Sequence, residues 1–240
     1  MTSPYFNTYL TTEIVLHPSQ MNNDIYKHLK NNLIERFQDK CFQHYGYITK
    51  IYNIEERKGG NVIAEDPTAS AKYVVKFSCR LCKPLRNSVI VCEILGINKA
   101  IIHLRNGPIN VVVLESNLNS NNFIFDEKRN IFLAKDENDK IGLPILKGSY
   151  VKVKILNIQI EDKSLRILVS GSLEMLASKE EIERMILDRE NDHNEFVDYD
   201  SYITKQKNDL QPSESLSEAS ESEENKESDS EETENSSEKE

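Results

Sequence analysis

The chain has 240 residues, room for one or two domains and a tail, and a formal charge of −10. Between Leu210 and Glu240 twelve acids stand against two bases, so this stretch carries the whole net charge and the remainder is neutral, with 28 residues of each sign. The composition excludes an acidic globular body, and no run of about 18 apolar residues is present to form a membrane-spanning helix.

Met1–Leu10 is polar and aromatic and lacks the basic region and apolar stretch of a signal peptide. Tyr5–Leu16 carries alternating and β-branched residues, which predict a strand stopped by Pro18. Asn22–Phe37 predicts a helix, because Ile25, Leu29, Leu33 and Phe37 recur every four residues as one apolar stripe. Ser19, Asn22 and Asn23 are candidate N-caps, with Asn22 or Asn23 favoured. A strand is expected over Tyr45–Ile54, a charged loop with a Gly59-Gly60 turn over Glu55–Asn61, and another strand over Lys72–Leu81. Strand, helix, strand, strand suits a small α+β domain with one helix on an antiparallel sheet.

From Ser88 the pattern changes to short strands. Val89–Leu95, Lys99–Leu104, Ile109–Leu114, Tyr150–Gln159 and Leu165–Gly171 are punctuated by Gly96, Gly107-Pro108, Gly148 and Glu161-Asp162-Lys163. Five strands in about 90 residues predict a small Greek-key barrel of the OB type. The polar stretch Asn117–Ile141 is read as a long insertion between the third and fourth strands. Ser178–Glu190 is read as a terminal helix with Ile182, Met185, Ile186 and Arg189 on one side. Beyond Gln211 the Ser/Glu tract is too polar to offset its ordering entropy. The expected division is therefore 1–83, 84–176, a helix and linker over 177–205, and a disordered acidic tail over 206–240.

Four cysteines, Cys41, Cys79, Cys82 and Cys92, suit a reduced intracellular protein. Cys79-x-x-Cys82 is the one metal-like spacing, but strand residues three apart point to opposite faces and no second pair exists, so these read as buried strand cysteines. The histidines His17, His28, His44, His103 and His193 stand in no catalytic motif. His28 and His44 are expected at the surface. No catalytic residue, metal or cofactor is assigned.

Leu16-His17-Pro18, then Cys41 with Tyr45-Gly46-Tyr47, then Gly60-Asn61-Val62-Ile63 follow one another along the chain. Tyr73-Val74-Val75-Lys76-Phe77 leads to Lys83-Pro84, and Gly107-Pro108, Gly148–Ile155 and Gly171-Ser172-Leu173 complete the series. This collinear set over Tyr5–Leu176 resembles the seventh-subunit family of multisubunit DNA-directed RNA polymerases, whose members form the outer half of the polymerase stalk. The Asn, Lys and Ile bias suggests a giant-virus or AT-rich protist member. The resemblance implies an N-terminal tip that plugs into the polymerase core subunits, an OB domain facing the RNA exit path, and a second stalk subunit along both.

The expected core-docking residues are His17, Pro18, Ser19, Arg57, Lys58, Gly59, Gly60 and Asn61. Lys83, Arg86, Lys99, Arg105, Lys147, Lys152, Lys154 and Arg166 are either solvated strand-face cations or weak, sequence-independent contacts to nascent single-stranded RNA. Ile101 stands where RNA-binding relatives often place Phe, and Glu65–Ser70 replaces a Gly-rich loop half. The chain so read is non-catalytic and intracellular, in virion and host cytoplasm if viral and in the nucleus if cellular. Rival readings are a polymerase I or III paralogue, a free-standing OB-fold RNA-binding or translation factor, and an enzyme resting on the Cys-x-x-Cys. In the Ser/Glu tail Ser215, Ser220, Ser228 and Ser237 each precede a Glu by three, a spacing acidic-directed kinases favour and chance also produces.

Overall fold

Alternation in β1 (Tyr5–Leu16) puts Phe6, Leu10, Ile14 and Leu16 on one face, where a helix covers them. The computed structural model describes residues 3–62, 64, 66–119, 122–126, 131–135, 141–190, 196–197 and 201–204. The helix, α1 (Ile25–Phe37), buries Leu29 and Leu33 completely, and Ile25 and Phe37 flank them at partial burial. It starts after Asp24, later than expected. Asn22 Oδ1 accepts the Asp24 N–H at 2.9 Å, so Asn22 shapes the turn before the helix.

Three strands complete this layer: β2 (Lys40–Phe42), β3 (Gly46–Val62) and β4 (Ala71–Cys82). The sheet order is β1-β4-β3-β2, and every pairing is antiparallel. The charged loop expected over Glu55–Asn61 is instead strand. Glu56 pairs with Lys76, Arg57 with Val75 and Gly59 with Tyr73, and a register shift between Gly59 and Asn61 absorbs the glycine pair. Gly59 and Gly60 have φ of +92° and +102°. Glycines at positive φ serve some bulges as well as some tight turns, so the pair does not by itself distinguish the two. The chain reverses later, where the Ala69 N–H donates to Asp66 O at 3.0 Å.

The second layer starts with β5 (Val89–Ile97), β6 (Ile101–Asn106) and β7 (Ile109–Leu114). The stretch expected as a polar insertion forms a second small sheet, β8 (Phe123–Asp126), β9 (Ile131–Lys135) and β10 (Ile141–Ile145), in the order β10-β9-β8. Phe123, Phe132, Ala134 and Ile145 drive it, because they join the core of the barrel. The strands β11 (Tyr150–Gln159) and β12 (Ile167–Leu176) close the barrel in the order β11-β12-β7-β6-β5, with β12 parallel to β7. That connectivity is the OB fold. β6 begins two residues later than expected, because Asn98 N–H bonds Ile101 O at 2.9 Å and makes a turn there. β12 likewise begins at Ile167, and Gly171-Ser172-Leu173 lies inside it.

α2 (Lys179–Glu190) follows the barrel. Ser178 caps it: Ser178 Oγ accepts the Glu181 N–H at 3.3 Å and Glu181 Oε2 accepts the Ser178 N–H at 2.9 Å. Met185 is buried and Ile182 and Ile186 are half-buried, as their shared face predicts. The chain then returns to the first sheet. Phe196 bridges Asn7 and stacks on Tyr9, and Tyr202 stacks on Phe6 at 3.7 Å. The described residues form one compact unit. The expected tail, 206–240, lies outside the described residues.

Candidate docking end and nucleic-acid interface

Three strand ends meet at one end of the first sheet. Leu16 pairs with Ala71, and Ala71 with Val62. His17, Pro18 and Ser19 continue from β1 there. The turn Pro18–Gln20 is a 3-10 helix, and proline fixes its first φ without losing a donor. The His17 N–H donates to Gln20 Oε1 at 3.2 Å, and the Gln20 amide exchanges hydrogen bonds with Asn32 of α1 at 3.1 and 3.2 Å. His17 Nδ1 lies 3.2 Å from Ser70 Oγ, which shares a hydrogen bond of 2.7 Å with Thr68 Oγ1. Thr68 Oγ1 and its N–H donate to Asp66 Oδ1 at 2.7 and 2.9 Å. Those two bonds hold the Asp66 carboxyl below the usual carboxylate range. The His-Pro turn is therefore tied to the β3–β4 hairpin and to α1 before any partner arrives.

The second half of the expected docking set lies in the rows just inside that end. Asn61 pairs with Lys72, and Gly59 with Tyr73. Arg57 is not the free loop cation expected. Its guanidinium lies 4.6 Å from the Tyr26 ring centroid and 5.6 Å from that of Tyr73, so it joins α1 to the sheet. A Cβ on Gly60 would stand 2.9 Å from the Tyr73 ring, so the glycine gives that ring its place. Lys58 is open, 72% exposed and 3.5 Å from Glu56.

The expected RNA contacts are scattered, and several are engaged. Lys152 is ion-paired with Glu181 at 2.6 Å, which joins β11 to α2 and removes this lysine from the free cations. Burial pushes the Glu181 carboxyl up, but its bonds to Lys152 and Ser178 outweigh that and hold it below its ordinary value. Lys83 Nζ donates to His44 O at 2.6 Å, and Arg86 donates to Asn157 Oδ1 at 2.6 Å. Lys99 Nζ lies 5.7 Å from the Phe125 ring centroid. Lys154 is half-buried on the outer face of β11, and Lys147 is exposed. Arg105 and Arg166 come together beside the Gly107-Pro108 turn. Arg189 of α2 joins them, and sequence reasoning missed it because only packing of α2 brings it there.

Cys79 and Cys82 face different cores, Cys79 under α1 and Cys82 beside Cys41 and Cys92 in the barrel cluster. Burial alone pushes the Cys79 thiol up to about 12. Among the described residues no group of three or more His, Cys, Asp or Glu is placed to hold a metal. His44 and His103 are exposed and His28 is half-buried, while His193 lies outside the described residues.

A helix-on-sheet layer with a braced end, followed in the same chain by a five-stranded OB barrel, is the architecture of a polymerase stalk subunit. Residues 13–67 match the family model of the SHS2 domain found in the N terminus of Rpb7p/Rpc25p/MJ0397. The chain is 32% identical over 180 residues to the Acanthamoeba polyphaga mimivirus protein L376, provisionally named a DNA-directed RNA polymerase subunit, covering 75% of this chain and 87% of that one. It is 29% identical over 161 residues to the RNA polymerase II subunit rpb7 of Schizosaccharomyces pombe, covering 66% and 89%. With the soybean (Glycine max) RNA polymerase II subunit RPB7 the identity is 22% over 161 residues, covering 65% and 86%. The chain belongs to the Rpb7-like stalk-subunit family of DNA-directed RNA polymerases.

Proposed function

We propose that this protein is a non-catalytic subunit that docks on the polymerase core by the His17–Ser19 end of its first sheet and holds its barrel near the emerging transcript. In this division 1–83 is the docking domain, 84–176 the RNA-facing domain, 177–205 a helix and link, and 206–240 an acidic tail. The observation that carries the reading is the bracing of His17 by Ser70, Gln20 and, through Gln20, Asn32. A turn fixed before binding loses less entropy on docking. The partners are core subunits and a second stalk subunit, and the viral relative favours a virion and host-cytoplasm location.

RNA contact in this reading is weak and electrostatic. It rests on Lys154, Arg105 and Arg166 together with the already engaged Lys83, Arg86 and Lys99, because the body is neutral and Ile101 offers no ring for a base to stack on. No cofactor is assigned. Affinity capture of the tagged full chain from its native source tests the function. Recovery of the two large polymerase subunits is expected. Recovery of the chain alone, as a monomer, would instead favour a free-standing OB-fold factor.

A further inference from the structure

A cavity of about 210 Å³ opens where the first sheet, the barrel and α2 meet. Three arginines line it, Arg105 at the end of β6, Arg166 before β12 and Arg189 near the end of α2, and one acid, Asp39, faces them. All three converge on the Gly107-Pro108 turn. Arg105 Nε donates to Gly107 O at 3.1 Å, and Arg166 precedes Ile167, whose N–H donates to Pro108 O at 3.0 Å. Arg189 Cδ lies 3.5 Å from where a Cβ on Gly107 would stand. Beneath the turn the buried hydroxyl of Tyr5 lies beside the Cys82 thiol, a weak partner, and makes no other hydrogen bond among the described residues. Thr49 Oγ1, also in the lining, is buried without a hydrogen-bond partner among the described residues. The Asp39 carboxylate already accepts Tyr47 Oη at 3.4 Å.

We propose that this cavity is a phosphate site that takes one phosphate group of single-stranded RNA. The inference rests on the proposed placing of the barrel beside the transcript, but its test does not involve the polymerase. A carboxylate presents two oxygens and is satisfied by one guanidinium fork. A phosphate group has more oxygens to share among several forks, and phosphate recognition is the ordinary work of arginine clusters. Three cations against one acid leave the cavity positive although the body as a whole is neutral.

Full-length protein is titrated by fluorescence anisotropy into a labelled ten-nucleotide oligouridylate, with and without a 5′-phosphate, and unlabelled uridine monophosphate and inorganic phosphate are then added as competitors. Arg105→Gln with Arg166→Gln should weaken RNA binding by roughly tenfold or more, the cost of losing charge-assisted contacts. Lys27→Gln with Lys179→Gln, which removes two exposed charges outside the expected contact set, should weaken it far less. Competition by the mononucleotide or by phosphate places a terminal or free phosphate in the site. Competition by RNA alone places an internal phosphodiester there. Both support the proposal. Should the double variant not fold, Arg166→Gln alone carries the test, because its side chain makes no hydrogen bond or ion pair among the described residues. Equal losses in the cation control, no RNA binding by the unaltered chain, or arginine-dependent binding of hexaglutamate in place of RNA would overturn the proposal.

Discussion

Arg57 lies between two rings that a loop tip would not provide, and its position shows how far a sequence specifies a site. Its charge and its nearness to a glycine pair were legible. Its stacking on Tyr26 and Tyr73 was not, because those rings come from α1 and β4 and meet it only after the sheet has formed. Lys152 is similar, since its partner Glu181 lies on α2 and meets it only where that helix packs against β11. The cysteines were legible in full, because strand periodicity alone assigns Cys79 and Cys82 to opposite faces. Their burial has a measurable consequence. The Cys79 thiol, raised in the folded state to about 12, stays protonated where the unfolded thiol, near its ordinary value of about 8.5, ionises. The stabilisation is complete below that unfolded value and is lost as pH rises from it toward the folded one. Urea unfolding between pH 7 and pH 10 should show a fall in stability that is smaller in Cys79→Ala. An equal fall in both would show that this thiol does not titrate on unfolding.

At the scale of elements, the helix and the five barrel strands were legible because their periodicity is strong. The apolar stripe of α1 is correct where it matters most, at Leu29 and Leu33, both fully buried. Leu33→Ala should cost about 2–5 kcal/mol in chemical denaturation, the range for deleting a buried leucine side chain. A loss under about 0.5 kcal/mol, the level of a surface substitution, would mean that α1 does not pack on the sheet as described. The far half of β3 and the small sheet β8–β10 were not legible. In β3 the charged residues Glu55–Lys58 masked a stretch of strand that pairs with β4 alone. In the small sheet the runs Phe123–Phe125 and Ile131–Ala134 are too short to show a period, and what fixes them is the barrel they cover.

For the whole molecule, the return of the chain to β1 after α2 ties the end of the described fold to its beginning. Tyr202 Oη donates to Ser3 O at 2.7 Å, and the Val197 N–H donates to Asn7 O at 2.9 Å. Nothing in the polar composition beyond Asn191 marked those two contacts, although Phe196 and Tyr202 are aromatic residues in an otherwise polar stretch. Truncation after Asn208 should leave the thermal midpoint unchanged, since no large aliphatic residue follows Leu216. Truncation after Glu190 removes both stacked rings and should lower it by several degrees. Equal midpoints for the two truncations would mean that the returning segment contributes nothing to stability. In the proposed function this stalk-family protein meets its polymerase through the His17–Ser19 end of the sheet. Photocrosslinking from single positions in the captured complex reports which end touches the core. A crosslinker at Ser19 or at Lys58 should join the chain to a core subunit, while one at the exposed His103 of the barrel should not. Crosslinks to the core from position 103, with none from positions 19 and 58, would show that the protein docks through its barrel instead.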